Sequence, residues 1–145
     1  MFAIRAPRTN DFPALKALLL NSDLPADDIN ESQLAHFIIL GQSGRIGGSV
    51  GIEPFGEDAL LRSLAIDPMM RGEGFGGRLL ESIEMYARDI GVRRLYLLTT
   101  SAAAFFEHHG YQRIDRASAP VAIQNTSQFA HLCPASSICL SKSLA

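Results

Sequence analysis

The sequence predicts an α/β (α+β) fold: a single layered domain, residues 1–145, with a mixed, mainly antiparallel central sheet flanked by helices. Three observations predict it. Strand-like and helix-like runs follow one another in the order strand, helices, three strands, helix, strand, helix, strand, helix, strand. No repeat, low-complexity tract or linker interrupts that order. Hydrophobic residues make up 47% of the 145, which suits one domain with a substantial core.

Phe2 to Ala6 is a short first strand. Thr9 or Asn10 offers an N-cap, with Asp11 in the first turn and Pro13 where a missing N–H is tolerated. Phe12, Leu15, Leu18 and Leu19 then give a first helix one apolar face. A polar, turn-rich run follows (SDLPADDIN, 22–30), and Asn30 caps a second helix through Phe37. His36 to Leu40 and Arg45 to Glu53 read as strands joined by the turn Gly41-Gln42-Ser43-Gly44. Gly47, Gly48 and Gly51 weaken the second of these and mark a bend or a close backbone approach. Pro54 to Asp58 is a turn leading into the central strand, Ala59 to Asp67. Alternation there puts Leu60, Arg62, Leu64 and Ile66 on one face, with Leu61, Ser63 and Ala65 on the other. In the long helix that follows, Leu79, Leu80, Ile83, Tyr86, Ala87 and Ile90 recur at helical spacing until Gly91 ends it. Val92 to Thr100 is a strand, and Ser101 caps a helix, Ala102 to His109, that Gly110 stops. Tyr111 to Asp115 begins a further strand, Pro120 to Phe129 is helical, and Ser137 to Ser143 is the last strand.

Composition narrows the function. The net charge is −2, the calculated pI is about 6.0, and no lysine/arginine run concentrates charge, so nothing attracts nucleic acid. No apolar run reaches the ~18 residues of a membrane span. The N-terminus lacks a signal peptide's charged start and long apolar segment. The two cysteines, Cys133 and Cys139, form no C-x-x-C pair. The expectation is a reduced, cytoplasmic protein with neither nucleic-acid nor membrane partners.

Chemistry concentrates in Ile66 to Leu80 (IDPMMRGEGFGGRLL), where a strand feeds a glycine-rich loop that opens a helix. Unpartnered N–H groups and the positive dipole end of a helix's first turn suit an anion such as pyrophosphate. Glycines let the backbone approach it, and Arg71 adds charge-assisted hydrogen bonds. A Walker loop would need Lys-Ser/Thr after its last glycine, whereas Arg78-Leu79 follows here. Gly72, Gly74 and Gly77 spell G-x-G-x-x-G, the dinucleotide fingerprint. That motif starts a βαβ unit directly after its strand, however, and here Pro68 to Arg71 intervene after roughly 60 residues of other structure. A NAD-binding enzyme is therefore the distant third reading.

Arg71-x-x-Gly74-x-Gly76, after a strand ending in Asp67-Pro68, resembles the acetyl-CoA signature of the GNAT N-acetyltransferases. Ala102 to Tyr111 (AAAFFEHHGY) is similar to that family's second signature, and the two segments cover residues 59 to 116, roughly half the chain. More narrowly, LLRSLAIDP, YLLTTSAAAFFE and FAHLCPASSICL resemble a GNAT subgroup associated with arsenic-resistance operons. The resemblance implies acetyl-CoA as co-substrate, a small amine as acceptor, direct transfer in a ternary complex, and a homodimer as one assembly. It places cofactor contacts on Leu64, Ala65 and Ile66, on Arg71, Gly72, Glu73, Gly74, Phe75, Gly76 and Gly77, and on Phe106. Many relatives have a tyrosine, which protonates the departing thiolate, where this chain has Phe106; an asparagine they often carry aligns with Thr99. That departure supports the alternative of an acyl-CoA-binding sensor or partner domain without turnover.

Acetyl transfer needs a neutral amine, an N–H for the developing oxyanion and a base. No metal is required, and no H-x₃-H or C-x-x-C cluster is present to hold one. Glu53 ends a strand beside the central one and is a candidate base and substrate contact; the other reading is an exposed strand-end carboxylate. His108, beside His109, is the second catalytic candidate, since histidine titrates in the useful range. Tyr111 could donate a proton or simply pack. Arg62 on the central strand is expensive to bury unpaired. It either binds an anionic group of the acceptor or pairs internally with Glu53 or Glu57. Asp27, Asp28 and His36 fall where relatives fold over the acceptor, or in a solvated loop. Cys133 and Cys139 suit core packing better than a thiol site for trivalent arsenic.

Overall fold

The computed structural model describes residues 2–42 and 44–145. Ser43 of the expected turn and Met1 lie outside the described residues. Among the described residues, seven strands form one sheet in the order β1-β2-β3-β4-β5-β7-β6. They are β1 (Ala3–Arg5), β2 (Phe37–Gln42), β3 (Arg45–Phe55), β4 (Asp58–Ile66), β5 (Arg94–Thr99), β6 (Gln112–Ile114) and β7 (Ile138–Ser143). β1–β2, β2–β3, β5–β7 and β6–β7 pair antiparallel, while β4 and β5 pair parallel. The expected mixed, mainly antiparallel sheet is the one observed, with helices α1 (Phe12–Asn21), α2 (Phe75–Asp89), α3 (Ala103–His108) and α4 (Val121–Gln124) flanking it. No helix among the described residues is long and apolar enough to cross a membrane.

The chain divides into two compact units: Met1–Ile52 with Ser63–Tyr86, and Glu53–Arg62 with Ala87–Ala145. In the first, α1 buries Leu15, Leu18 and Leu19 against Leu34, Phe37 and Ala65, and Phe12 packs at the edge of that cluster. Fully burying one leucine side chain contributes about 1.5–3 kcal/mol, so this apolar face holds the helix down. The helix begins differently from expectation. A 3₁₀ turn, Thr9–Asp11, precedes it, and neither Thr9 nor Asn10 is its cap. Asp11 instead accepts from the Arg8 amide at 2.7 Å and from Arg5 Nη1 at 2.8 Å, tying β1 to α1. Asn30 does cap, accepting from the Gln33 amide, but the segment is 3₁₀ (Glu31–His36) and strand begins at Phe37.

The glycines of β3 mark close approaches. A Cβ on Gly51 would stand 2.6 Å from the Phe37 ring, and one on Gly48 2.9 Å from Ile66 and Leu79 side chains. β3 continues through Pro54 and Phe55, so the expected turn shrinks to Gly56 and Glu57, with Gly56 at φ +70°. In β4 the simple alternation fails at Ser63, whose φ is +61°; Ala59 to Ser63 are all buried in succession.

In the second unit, Leu60, Tyr96, Ile123, Phe129 and Cys139 form the core. α3 has no Ser101 cap. Ala102 is the N-cap residue, without a side-chain cap, and Thr99 Oγ1 ties the turn before the helix by accepting from the amides of Ala102 at 2.9 Å and Ser101 at 3.3 Å. The helix expected over Pro120 to Phe129 is α4 plus a separate π turn, Gln128–Leu132. Thr126 breaks it, its Oγ1 donating back to the Ile123 carbonyl at 2.6 Å. Arg116 then donates to the carbonyls of Pro134 and Phe129, holding the π turn in place.

Candidate active site

The loop after β4 is built from the first unit alone. Asp67 caps a 3₁₀ turn, Pro68–Met70, by accepting from the Met69 amide at 2.9 Å. Arg71 folds back so that Nε donates to the Ile66 carbonyl at 3.3 Å. Gly72 and Gly74 have φ of +83° and +80°, a region costly for residues with a Cβ. Gly76 and Gly77 are not loop residues; they lie in the first turn of α2. The first intrahelical bond is Arg78 N to the Gly74 carbonyl, 3.2 Å. The amides of Phe75, Gly76 and Gly77 precede it and belong to the partnerless set of any helix start. Arg71 to Gly74 are exposed, and Phe75 to Gly77 half-buried. The Arg78 guanidinium lies 5.6 Å from the centre of the Phe75 ring, adding positive charge at that end. This segment can hold a diphosphate.

Just upstream, Ala65 is buried, while Leu64 and Ile66 are half-buried. β4 pairs with β5 through Asp58–Leu60 and Arg94–Tyr96, and β4 itself runs on to Ile66.

The second unit holds Glu53, Arg62, Phe106, His108 and Tyr111. Arg62 Nη1 meets Glu53 Oε2 at 2.8 Å, with the Arg62 side chain 1% exposed and that of Glu53 19%. Of the two internal partners open to Arg62, Glu53 is the one present; Glu57 pairs with Arg93 at 3.2 Å on the surface. A buried guanidinium beside a half-buried carboxylate is a charged feature that remains reachable from solvent on the carboxylate side. Phe106 is buried, edge-on to Phe105 at 5.2 Å and to Tyr111 at 5.4 Å. Tyr111 is itself buried, with Lys142 Nζ 5.4 Å from its ring centre. His108 is exposed and edge-on to His109 at 5.3 Å.

His36 is half-buried, its Nδ1 2.7 Å from the Tyr86 hydroxyl, which donates to the Ala35 carbonyl at 3.1 Å. Burial pushes the Tyr86 phenol up, keeping it a donor. Sequence reasoning missed this pair, along with the Thr99 turn before α3; Thr-Thr-Ser before a helix was the available signal for the latter. Cys139 is buried in β7, and burial pushes its thiol up to about 11. Cys133 is half-buried with Sγ 3.9 Å from Gln128 Oε1. No group of three or more metal-ligating side chains occurs among the described residues.

A mixed sheet whose fourth strand delivers a glycine loop and a helix N-terminus defines a class of proteins that grip a phosphorylated cofactor by backbone. The model of the acetyltransferase (GNAT) domain matches residues 33–113, more than half the chain, and the protein belongs to that family. The amino-acid acetyltransferase of Neisseria meningitidis (serogroup A) is 29% identical over 118 residues, covering 76% of this chain and 27% of that protein. The chain thus spans about a quarter of that curated relative's length. The N-acetylglutamate synthase of Neisseria gonorrhoeae, complexed with coenzyme A and N-acetyl-glutamate, shares the fold at a TM-score of 0.86 and 24% identity. All of this chain and 35% of that one are covered. A GNAT-family acetyltransferase from Staphylococcus aureus Mu50 superposes over the full length of both chains, with a TM-score of 0.80 and 16% identity.

Proposed function

We infer that this protein is an acetyl-CoA-dependent N-acetyltransferase whose acceptor is the amine of a small, carboxylate-bearing molecule of the amino-acid class. The observation that carries the reading is the loop itself: two left-handed glycines, Arg71 and the first-turn amides of α2, in a chain of this family. Support for the acceptor class comes from relatives named amino-acid acetyltransferases; Arg62, buried and paired with Glu53, bears on the acceptor through the carboxylate it holds. The narrower likeness to the arsenic-operon subgroup rests on sequence motifs alone and specifies no acceptor. A cytoplasmic homodimer is the setting we attach to the reading, and light scattering tests the assembly.

In this reading the diphosphate sits on the amides of Gly72 to Gly77 with Arg71, and the pantetheine lies along Leu64–Ile66, one of whose N–H groups faces the acetyl oxygen. The neutral amine attacks the thioester carbonyl, the new C–N bond forms, and the C–S bond breaks to release the thiolate. Glu53, directly or through water, takes the proton the amine loses; Arg62, 2.8 Å away, holds that carboxylate in orientation. His108, exposed, is the second candidate for proton transfer. Phe106 contributes packing and no proton, so the thiolate leaves unassisted or with a proton from another donor.

Acetyl-CoA incubated with a panel of amino acids and their analogues releases free thiol if the reading holds. Arg62→Lys keeps the charge and loses the fork, so the acceptor KM rises about tenfold or more while the acetyl-CoA KM stays within about twofold. Equal effects on both would give Arg62 a purely structural role. Phe106 favours a second reading, a non-catalytic acyl-CoA sensor; coenzyme A binding without thiol release across the whole panel would select it.

A further inference from the structure

Resting on the acetyltransferase reading above, we propose that Ser49 is a positioning residue: its hydroxyl holds the left-handed kink at Ser63 that aims the Leu64–Ile66 amides at the acyl thioester. Among the described residues, two that are not glycine have φ in the left-handed region, Asp23 and Ser63. Asp23 lies in the turn after α1, where aspartate tolerates such a backbone. Ser63 is different. It sits inside a strand, 6% exposed, three residues beyond the last paired position of β4 with β5 and immediately before the amides assigned to the cofactor. A strained residue inside a strand persists only where its surroundings over-determine it.

Ser49 supplies that determination. It stands in β3, fully buried, and its Oγ donates to the Ser63 carbonyl oxygen at 2.7 Å. A left-handed residue rotates the peptide planes on either side of it, and the Ser63 carbonyl here accepts from a side-chain donor. With the hydroxyl present the kinked conformer is satisfied. Without it the carbonyl loses that donor in the core, and the strand relaxes toward ordinary extended geometry, where residues 64–66 present their N–H groups differently. Ser49 touches neither cofactor nor acceptor in this account; it acts through the backbone of Ser63.

A double-mutant cycle with Ser49→Ala and Ser63→Gly tests the proposal, because glycine adopts the left-handed conformation without strain. The readouts are kcat with the best acceptor of the panel, coenzyme A Kd by calorimetry, and amide NMR shifts in the cofactor-free protein. Misplacing a catalytic group by about an ångström costs on the order of a hundredfold, so S49A lowers kcat about ten- to a hundredfold. Its coenzyme A Kd stays within about threefold, since the loop that grips the diphosphate is untouched. The Leu64–Ile66 amide signals shift in S49A and return in S49A/S63G, together with at least about tenfold of the lost kcat. A loss of packing alone would lower stability without being recovered by a glycine fourteen residues away. An unchanged kcat in S49A overturns the proposal, as does a loss that S63G fails to recover. Should S49A not fold, S63G compared with S49A/S63G decides: equal kcat within about threefold supports it, and a tenfold gap overturns it. If the parent protein neither binds coenzyme A nor releases thiol, the functional reading itself has failed, whereas unmoved Leu64–Ile66 amide signals in S49A refute the Ser49 role by itself.

Discussion

At the scale of the residue, the side chains that matter differ in how water reaches them. Cys139 is 3% exposed and its thiol is pushed up to about 11, so at pH 8 it is overwhelmingly protonated and shielded. Cys133 is half-buried in a turn. Treated with a thiol-specific reagent at pH 8, the native protein therefore reacts at Cys133 first, and Cys139 reacts only on unfolding; mass spectrometry of the labelled peptides reads the order, and equal rates would contradict the burial. The Arg62–Glu53 pair follows the same logic in reverse. Its carboxylate partner is the more exposed of the two, which leaves Glu53 able to meet a solvent-borne amine while Arg62 stays fixed.

Elements are set by a few backbone demands and a few ties. Gly74 and Gly51 both resist substitution, for different reasons. At Gly74 nothing lies within 4 Å of where a Cβ would stand, and the obstacle is φ +80°; at Gly51 the obstacle is the Phe37 ring at 2.6 Å. Gly74→Ala should weaken coenzyme A binding about tenfold or more with at most about 1–2 kcal/mol of lost stability. Gly51→Ala should cost about 1–3 kcal/mol of stability and leave coenzyme A affinity nearly unchanged. Calorimetry and urea melts on the two variants check that contrast. The tie between β1 and α1 is electrostatic: the hydrogen bonds from Arg5 hold the Asp11 carboxyl below the usual aspartate range. A lowered folded-state value contributes stability above the ordinary aspartate range, and that contribution is lost as pH falls through the folded-state value. Asp11→Asn should thus destabilise by about 1–2 kcal/mol at pH 7 and by progressively less below pH ~4. A difference that stayed constant down to pH 2 would show that Asp11 acts by packing.

For the molecule as a whole, binding of a ligand to the folded state alone raises stability by mass action. Coenzyme A at a hundred times its Kd adds about 2.7 kcal/mol, which for a chain of this size moves Tm up by roughly 8–12 °C. A thermal scan with and without millimolar coenzyme A checks it, and coincident curves would remove the basis for the acetyltransferase reading. Much of the fold was legible beforehand because its signals are local. The succession of strands and helices along the chain, the cap at Asn30, the helix of Leu79 to Ala87 and the loop from Asp67 to Gly74 all follow from spacing and turn chemistry within a dozen residues. What was misread involves partners farther off or competing locally. Ser101 does not cap α3, whose preceding turn is tied by Thr99, Thr126 breaks the run from Pro120, and β3 outlasts Pro54.

The amino-acid order by itself determined the layered architecture and the glycine loop between β4 and α2, since glycine, proline and hydrophobic periodicity act over one or two turns of chain. Only the tertiary structure decided that Arg62 pairs with Glu53 and not Glu57, and that β4 kinks at Ser63 under the hydroxyl of Ser49. Both depend on which strand lies beside which and at what height, and a hydrogen bond tests that placement to a few tenths of an ångström, finer than any periodicity can encode.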